Sequence, residues 1–526
     1  MPTDSPVNRS RLHRFAWLLA AAALIALRIP HLVGPLVDPH SWRQCDTVHT
    51  SLDFYHRGLD VLHPAVCWLG AHRTILLNFP LAEAITSLVY RVFGPDPMWD
   101  RIVQLGFFIL SAVWLHALAA HLAGTRTARL TTLAYLALPL GQFFSRVPHI
   151  EFSVLAFVNG ALYYANLACT RRSTAAAVAA AACGVLAALV KAPYLGTTAF
   201  ALIVLMVATW SLSNLLRLAL AYGVPAVVFL FWRDYVDRVN ATVPDWYFLP
   251  DFYKEVNPLW RYTGTLAERQ DIRNWIKLAK RVVYEIATPL GCLFALAAPM
   301  WAGRVAPGAV APIGDSAGAG RRPDARWFAI AWLAGCLLYL LVFFRLNAWH
   351  NYYQTPFLAP TALLIALGVD ALWDRLPRLG RVPLTEIALA AFLVTAAWLP
   401  SRIGYDQVDW LRTEAGPVIA ARVPEGQLVV AGDFNTLPPT DPRLLFRAGR
   451  EGWPMRVHEI TAERLDKLRP YGARWVVVLT DPQHPDVQPP AFLEPIRVAT
   501  DPVMHAGRQI GTVYVYDLTR PPAAAR

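Results

Sequence analysis

The chain is 526 residues long, 56% hydrophobic and 16% charged, with a mean hydropathy of +0.36. Soluble domains carry about 25% charged residues, so this composition excludes an ordinary soluble enzyme and indicates a membrane protein. The net charge of +11 is no sign of a nucleic-acid partner, because Lys and Arg gather in the cytoplasmic loops of membrane chains for topological reasons.

The first apolar run, Phe15 to Leu27, follows RSRLHR and has the outline of a signal peptide, but no small-residue cleavage site comes after it. It therefore reads as a retained first span. A span needs about 20 mostly apolar residues. Candidates lie near 15–36, 102–122, 129–144, 151–168, 175–190, 195–210, 215–232, 282–301, 327–344, 354–372 and 384–400, about eleven in all. The segment 37–101 opens with the polar stretch DPHSWRQCDT and contains Cys45 and Cys67, which read as two free thiols rather than a disulfide. Within it, residues 75–93 alternate apolar and polar groups at helical spacing, which predicts a helix lying on the outer surface.

Short cytoplasmic loops should hold the basic residues. With the N-terminus inside, the inner connections are GTRTAR, CTRRST, SLSNLLR, the Gly/Pro/Ala-rich linker with Arg304, Arg321, Arg322 and Arg326, and DRLPRLGR; all five carry Arg. This orientation places 37–101, FSRVPHIE, VKAPYL, 233–281, RLNAWHNYY and everything after about 401 outside. The tail has short apolar or alternating runs, QLVVAGD, RWVVVLTD and GTVYVYDL, between Pro, Gly and charged stretches. The expected organisation is thus a polytopic α-helical membrane domain at 1–400 and a small extracytoplasmic α/β domain at 401–526. The expected location is the inner (plasma) membrane, multi-pass, with the N-terminus cytoplasmic and the tail outside.

On this topology four polar groups share the outer side: DPHSWRQCDT, Arg146 with Glu151, Lys191, and His350 with Tyr352 and Tyr353. Charges at membrane depth usually face a cavity or a partner, so the coincidence of side suggests a functional site. Each group also has a plain structural reading. Asp46 could pair with Arg43 or cap the helix that starts at Thr47; Asp38, before Pro39, suits a turn. Glu151 could serve its helix dipole, Lys191 could snorkel, and the aromatic trio could be an interfacial belt.

No GxGxxG after a strand, Walker A pattern, HExxH or paired CxxC occurs, so a nucleotide site is not indicated. Asp38, His40 and Asp46 could offer ligands to a hard divalent cation, but their spacing is unspecific, and no metal or other cofactor is expected.

Taken together, the acidic residue of the first outer loop, the helix FPLAEAITSLVYRVFG, Arg146 with Glu151, Lys191, and HNYYQTP resemble the membrane glycosyltransferases of the C superfold. The branch in question is that of protein O-mannosyltransferases and lipid A aminoarabinose transferases, and the resemblance covers roughly residues 10–400. It implies transfer of a hexose or pentose from a polyprenyl-phosphate donor to a glycan, lipid or protein acceptor at the outer, periplasmic face of the cell envelope. It also implies that Asp46 is the catalytic acid/base, that Glu151 is the second acidic position, and that Lys191 and Arg146 lie near the carrier phosphate. Arg43, His350, Tyr352 and Tyr353 join that donor site. The family's first-loop motif is often Asp-Glu, whereas Gln44, Cys45 and Asp46 stand here, so only Asp46 carries over.

A carboxylate can take the acceptor proton as the anomeric carbon is attacked, and cations at the departing phosphate stabilise the charge that builds there. One base and one displacement invert the anomeric centre. The main alternative is a transporter or flippase of a lipid-linked sugar, but that predicts repeat symmetry and interrupted helices near the midplane, neither of which is visible in the sequence. A third is a structural subunit whose external domain binds a partner.

Overall fold

The computed structural model describes residues 6–244, 260–301, 322–373, 375–379, 382–434 and 441–520. Arg304 and Arg321 of the inner linker lie outside these residues, as do 245–259 of the long outer segment. The chain forms two compact units: Met1–Val33 with Arg101–Arg233 and Pro258–Tyr405, and Gly34–Asp100 with Asp234–Asn257 and Asp406–Arg526.

Among the described residues seven helices are long and apolar enough to cross a membrane: Pro97–Ala123, Glu151–Thr170, Thr174–Lys191, Leu212–Asn240, Ala325–Val342, Asn351–Leu372 and Leu384–Ser401. An eighth is counted if the pair Ile272–Ile286 and Pro289–Met300, bent by 88°, is one span. The remaining four expected spans are shorter or interrupted, and proline accounts for two of them. The run 129–144 divides into Thr125–Ala137 and Pro139–Phe144, with Leu138 at φ −57°, ψ 130° between them. Pro139 has no N–H to donate, and it pushes the residue before it out of helical geometry. The same effect at Pro289 helps break the run 282–301. The apolar helix at the start runs Phe15–His31, and Ala199–Ala208 has only 10 residues.

In the first unit the helix Leu358–Leu372 is buried almost all round, packed against Thr125–Ala137, Pro289–Ala297 and Ala325–Val342. A helix apolar on every side belongs at such a centre. At the periphery, Trp210, Leu212, Phe231 and Leu296 are exposed, a surface suited to lipid. A two-residue ladder, β1 (Arg378–Leu379) with β2 (Val382–Pro383), completes this unit's strands among the described residues.

The second unit is built on a five-stranded sheet: β3 (Leu428–Asp433), β4 (Glu451–Arg456), β5 (Ala473–Thr480), β6 (Arg497–His505) and β7 (Arg508–Asp517), in the order β4-β3-β5-β7-β6. β3 is parallel to β4 and β5, while β7 is antiparallel to β5 and β6. The three apolar runs of the tail are β3, β5 and β7. The expected boundary near residue 400 needs correction, because Val66, Cys67, Trp68, Leu69 and Ile75 belong to the same apolar core as Val430, Trp453, Val477 and Val515. The greasy stretch AVCWL of the first outer loop is buried on the tail's sheet, a contact that composition along the chain does not reveal.

This unit also holds the helices Ser41–Arg57 and Leu81–Phe93. The second covers the later part of the expected helix 75–93, residues 75–80 lying outside it, and its polarity is inverted relative to a soluble protein. Glu83, Thr86, Ser87 and Tyr90 are buried, while Ile85, Leu88, Val92 and Phe93 are exposed.

Candidate active-site residues

The predicted site residues fall into two groups, one in each unit. In the second unit, Asp38 accepts the N–H and O–H of Ser41 at 3.0 and 2.8 Å, which starts the helix Ser41–Arg57. Asp38 thus plays a turn role, and the helix begins six residues earlier than the sequence predicts. Asp46 is therefore not a cap; it sits in the second turn, 4% exposed. Its Oδ1 accepts the Trp68 indole N–H at 2.9 Å, and its Oδ2 lies 3.4 Å from the Arg43 guanidinium. Burial pushes its carboxyl up to about 6, against the opposing pull of Arg43 and Trp68.

Arg43 also donates to Asn78. Glu83, 3% exposed, has its carboxyl pushed by burial up to about 7, with Arg43 pulling the other way. His49, in the same helix, is held down to about 4 by burial and by Arg73. Cys45 and Cys67 are free and buried. Asp38 and Asp46 are committed to different partners, and no group of three His, Cys, Asp or Glu side chains is arranged to hold a metal ion among the described residues.

In the first unit Glu151 opens the helix Glu151–Thr170 and is fully buried. Lys191, the last residue of the helix Thr174–Lys191, places Nζ 2.6 Å from Glu151 Oε1. Tyr194 donates its hydroxyl to Glu151, and Thr355 Oγ1 donates to Oε2 at 3.0 Å. His149 Nδ1 lies 3.7 Å from Oε1. Lys191 Nζ also stands over the rings of Tyr353 at 4.1 Å, Tyr194 at 4.3 Å and Tyr352 at 5.2 Å, an arrangement that stabilises a cation. The Tyr352 ring is stacked with His350, centroids 5.2 Å apart, and lies 4.5 Å from that of Tyr353. Arg146 is buried in the turn before Glu151, its guanidinium 5.9 Å from the Phe143 ring.

The structure thus brings Glu151, Lys191, His350, Tyr352 and Tyr353 together around one ion pair, and separately brings Asp46 to Arg43. Trp68, Glu83, Tyr194 and Thr355 were not predicted. Tyr194 had a signal, standing three residues after Lys191 on one helical turn, and Thr355 lies within HNYYQTP; Trp68 had none.

The fold has counterparts among solved structures. It is shared with ArnT from Cupriavidus metallidurans bound to undecaprenyl phosphate, at TM-score 0.58 and 15% identity over 97% of this chain and 98% of that one. The arabinofuranosyltransferase AftD from Mycobacteria matches at TM-score 0.58 and 16% identity, over 97% of this chain but 40% of its own length. The oligosaccharyltransferase AglB from Archaeoglobus fulgidus, in complex with an inhibitory peptide and a dolichol-phosphate, matches at TM-score 0.52 and 12% identity over 90% and 70%. No protein-family model matches the chain, and no curated protein matches it.

Proposed function

We propose that this protein transfers a sugar from a polyprenyl-phosphate donor to an acceptor hydroxyl at the outer face of the membrane, with inversion. The observation that carries the proposal is Asp46, a buried carboxylate raised to about 6, in a chain whose fold is that of enzymes whose structures hold undecaprenyl phosphate and dolichol-phosphate. A base with a pKa near working pH is suited to accept a proton. Asp46 takes the proton of the acceptor hydroxyl as its oxygen bonds to the anomeric carbon; the carbon–oxygen bond to phosphate breaks, and the polyprenyl phosphate leaves with the bonding electrons.

Lys191 and Arg146 bind the carrier phosphate, assisted by Arg43, His350, Tyr352 and Tyr353. Glu151, the second acidic position, acts by fixing Lys191. The sugar is a hexose or pentose, and the acceptor a glycan, lipid or protein. The reaction uses no cofactor; a divalent cation beside the leaving phosphate is the addition that chelation tests. The broken and short helices count as spans in this proposal, giving about eleven, with the N-terminus inside and residues 401–526, joined by the first loop, in the periplasm.

The experiment is transfer by the purified full chain in detergent, offered undecaprenyl-phosphate-linked mannose, glucose, arabinose and aminoarabinose in turn. At least one should release undecaprenyl phosphate, Asp46→Asn should slow release by about 10²–10⁴-fold, and undecaprenyl phosphate should still bind that variant. Absence of release from all four together with no binding of undecaprenyl phosphate overturns the proposal.

A further inference from the structure

Trp68 is 1% exposed and donates its only polar hydrogen to Asp46 at 2.9 Å. The backbone on either side of it is bonded to the tail's strand β4. Gly452 N–H donates to the Cys67 carbonyl at 2.9 Å, and Gly70 N–H donates to the Gly452 carbonyl at 2.8 Å. This exchange requires glycine at both places. A Cβ on Gly70, whose φ is +53°, would stand 2.1 Å from the Trp453 ring, and one on Gly452 would stand 1.8 Å from the Val429 carbonyl oxygen. Cys67 Sγ lies 3.8 Å from the Pro442 carbonyl. The helix that carries Asp46 is tied to the same strand, since Arg73 bridges Asp53 at 2.8 Å and Glu451 at 2.7 Å. Thr50 Oγ1 donates to the Ala65 carbonyl at 3.2 Å.

We propose that Trp68 is a positioning residue for Asp46, held in place by β4, so that the C-terminal sheet aims the carboxylate. Its catalytic meaning rests on the reading of Asp46 as base; the aiming itself does not. A buried indole on an anchored backbone is held by its packing, and its N–H favours one orientation of the carboxylate it meets. The sheet is then part of the Asp46 site.

The test is infrared titration of Asp46 in the full chain in detergent, taken as the difference between wild type and Asp46→Asn, which needs no sugar. Trp68→Phe removes a donor to the charged form, so the Asp46 midpoint should rise by about half to one pH unit. Trp475→Phe, an equally conservative change in the same core, should leave it in place. In wild type, hydrogen exchange of peptides covering 66–72 should be as slow as that of β3. Should Trp68→Phe fail to fold, ultraviolet resonance Raman of the indole N–H in Asp46→Ala against wild type reads the same bond from its other end. An unmoved midpoint or an unmoved indole band overturns the aiming, and fast exchange at 66–72 overturns the role of β4. Loss of sugar transfer in Asp46→Asn is measured separately, so failure of the proposed function and failure of this inference are distinguishable.

Discussion

Lys191→Met tests whether Lys191 and Glu151 act as a unit. Removing one partner of a buried pair costs about 3–5 kcal/mol because a charge is left without compensation. Here Glu151 is fully buried while the Lys191 side chain is 15% exposed, which favours the lower end. Glu151 also keeps the hydroxyls of Tyr194 and Thr355, so a loss of about 2–3 kcal/mol is expected. In Lys191→Met/Glu151→Gln the charge is gone and the amide oxygen can still accept those hydroxyls, so the double variant should regain about 1–2 kcal/mol relative to Lys191→Met. Equilibrium unfolding in mixed micelles measures the cycle, and binding of undecaprenyl phosphate is measured on the same preparations. If Lys191 holds the carrier phosphate, binding stays weak in the double variant although stability returns. Recovery of binding along with stability would refute that role and leave Lys191 as the counter-ion of Glu151. A Lys191→Met protein as stable as wild type would refute the pairing itself.

Asp46→Asn should lower transfer by about 10²–10⁴-fold. Because burial sets the Asp46 carboxyl at about 6, the protonated, inactive form dominates below that pH, so the wild-type rate should rise about tenfold per unit up to pH 6 and then level; a flat profile from pH 4.5 to 7.5 would remove Asp46 as the base. Glu83, raised by burial from 4.5 to about 7, binds more protons folded than unfolded between those values, so stability should fall as pH rises through that window. Glu83→Gln should therefore be more stable than wild type by ~3 kcal/mol at pH 8 and no different near pH 4. A reporter active only in the cytoplasm, fused after residue 410, should stay dark; a bright fusion would reverse the proposed orientation.

Much of the helical part was legible because lipid-facing helices announce themselves by length and apolarity. What could not be read was where those helices break: Pro139 and Pro289 sit inside runs that are apolar on average, and hydropathy averages over them. In the tail, β3, β5 and β7 were visible as apolar runs. β4, with Gly452 and Pro454 in EGWPMR, and β6, RVATDPVMH, were not, since neither shows period-two alternation. For the candidate site, ionisable residues stood out against a greasy background, which is why Asp46, Glu151 and Lys191 could be named. Trp68 could not: among 19 tryptophans nothing local distinguishes the one whose partner lies 22 positions away.

The hydrogen-bond inventories of the two carboxylates bear on which of them can be the base. An ionised carboxylate offers about four lone-pair sites. Glu151 receives Lys191, Tyr194 and Thr355, with His149 3.7 Å off, so three of those sites are taken and both oxygens are engaged. Asp46 receives one well-formed hydrogen bond, from Trp68 at 2.9 Å, and one long contact from Arg43 at 3.4 Å. Its Oδ2 therefore retains capacity for an acceptor hydroxyl, while Oδ1 is fixed. An anchored oxygen beside an available one is what a general base requires, whereas a carboxylate ringed by donors and bound to a lysine is suited to fixing a cation. On the proposed function, therefore, Glu151→Gln should act through Lys191, weakening undecaprenyl phosphate binding more than it alters the pH at which transfer begins.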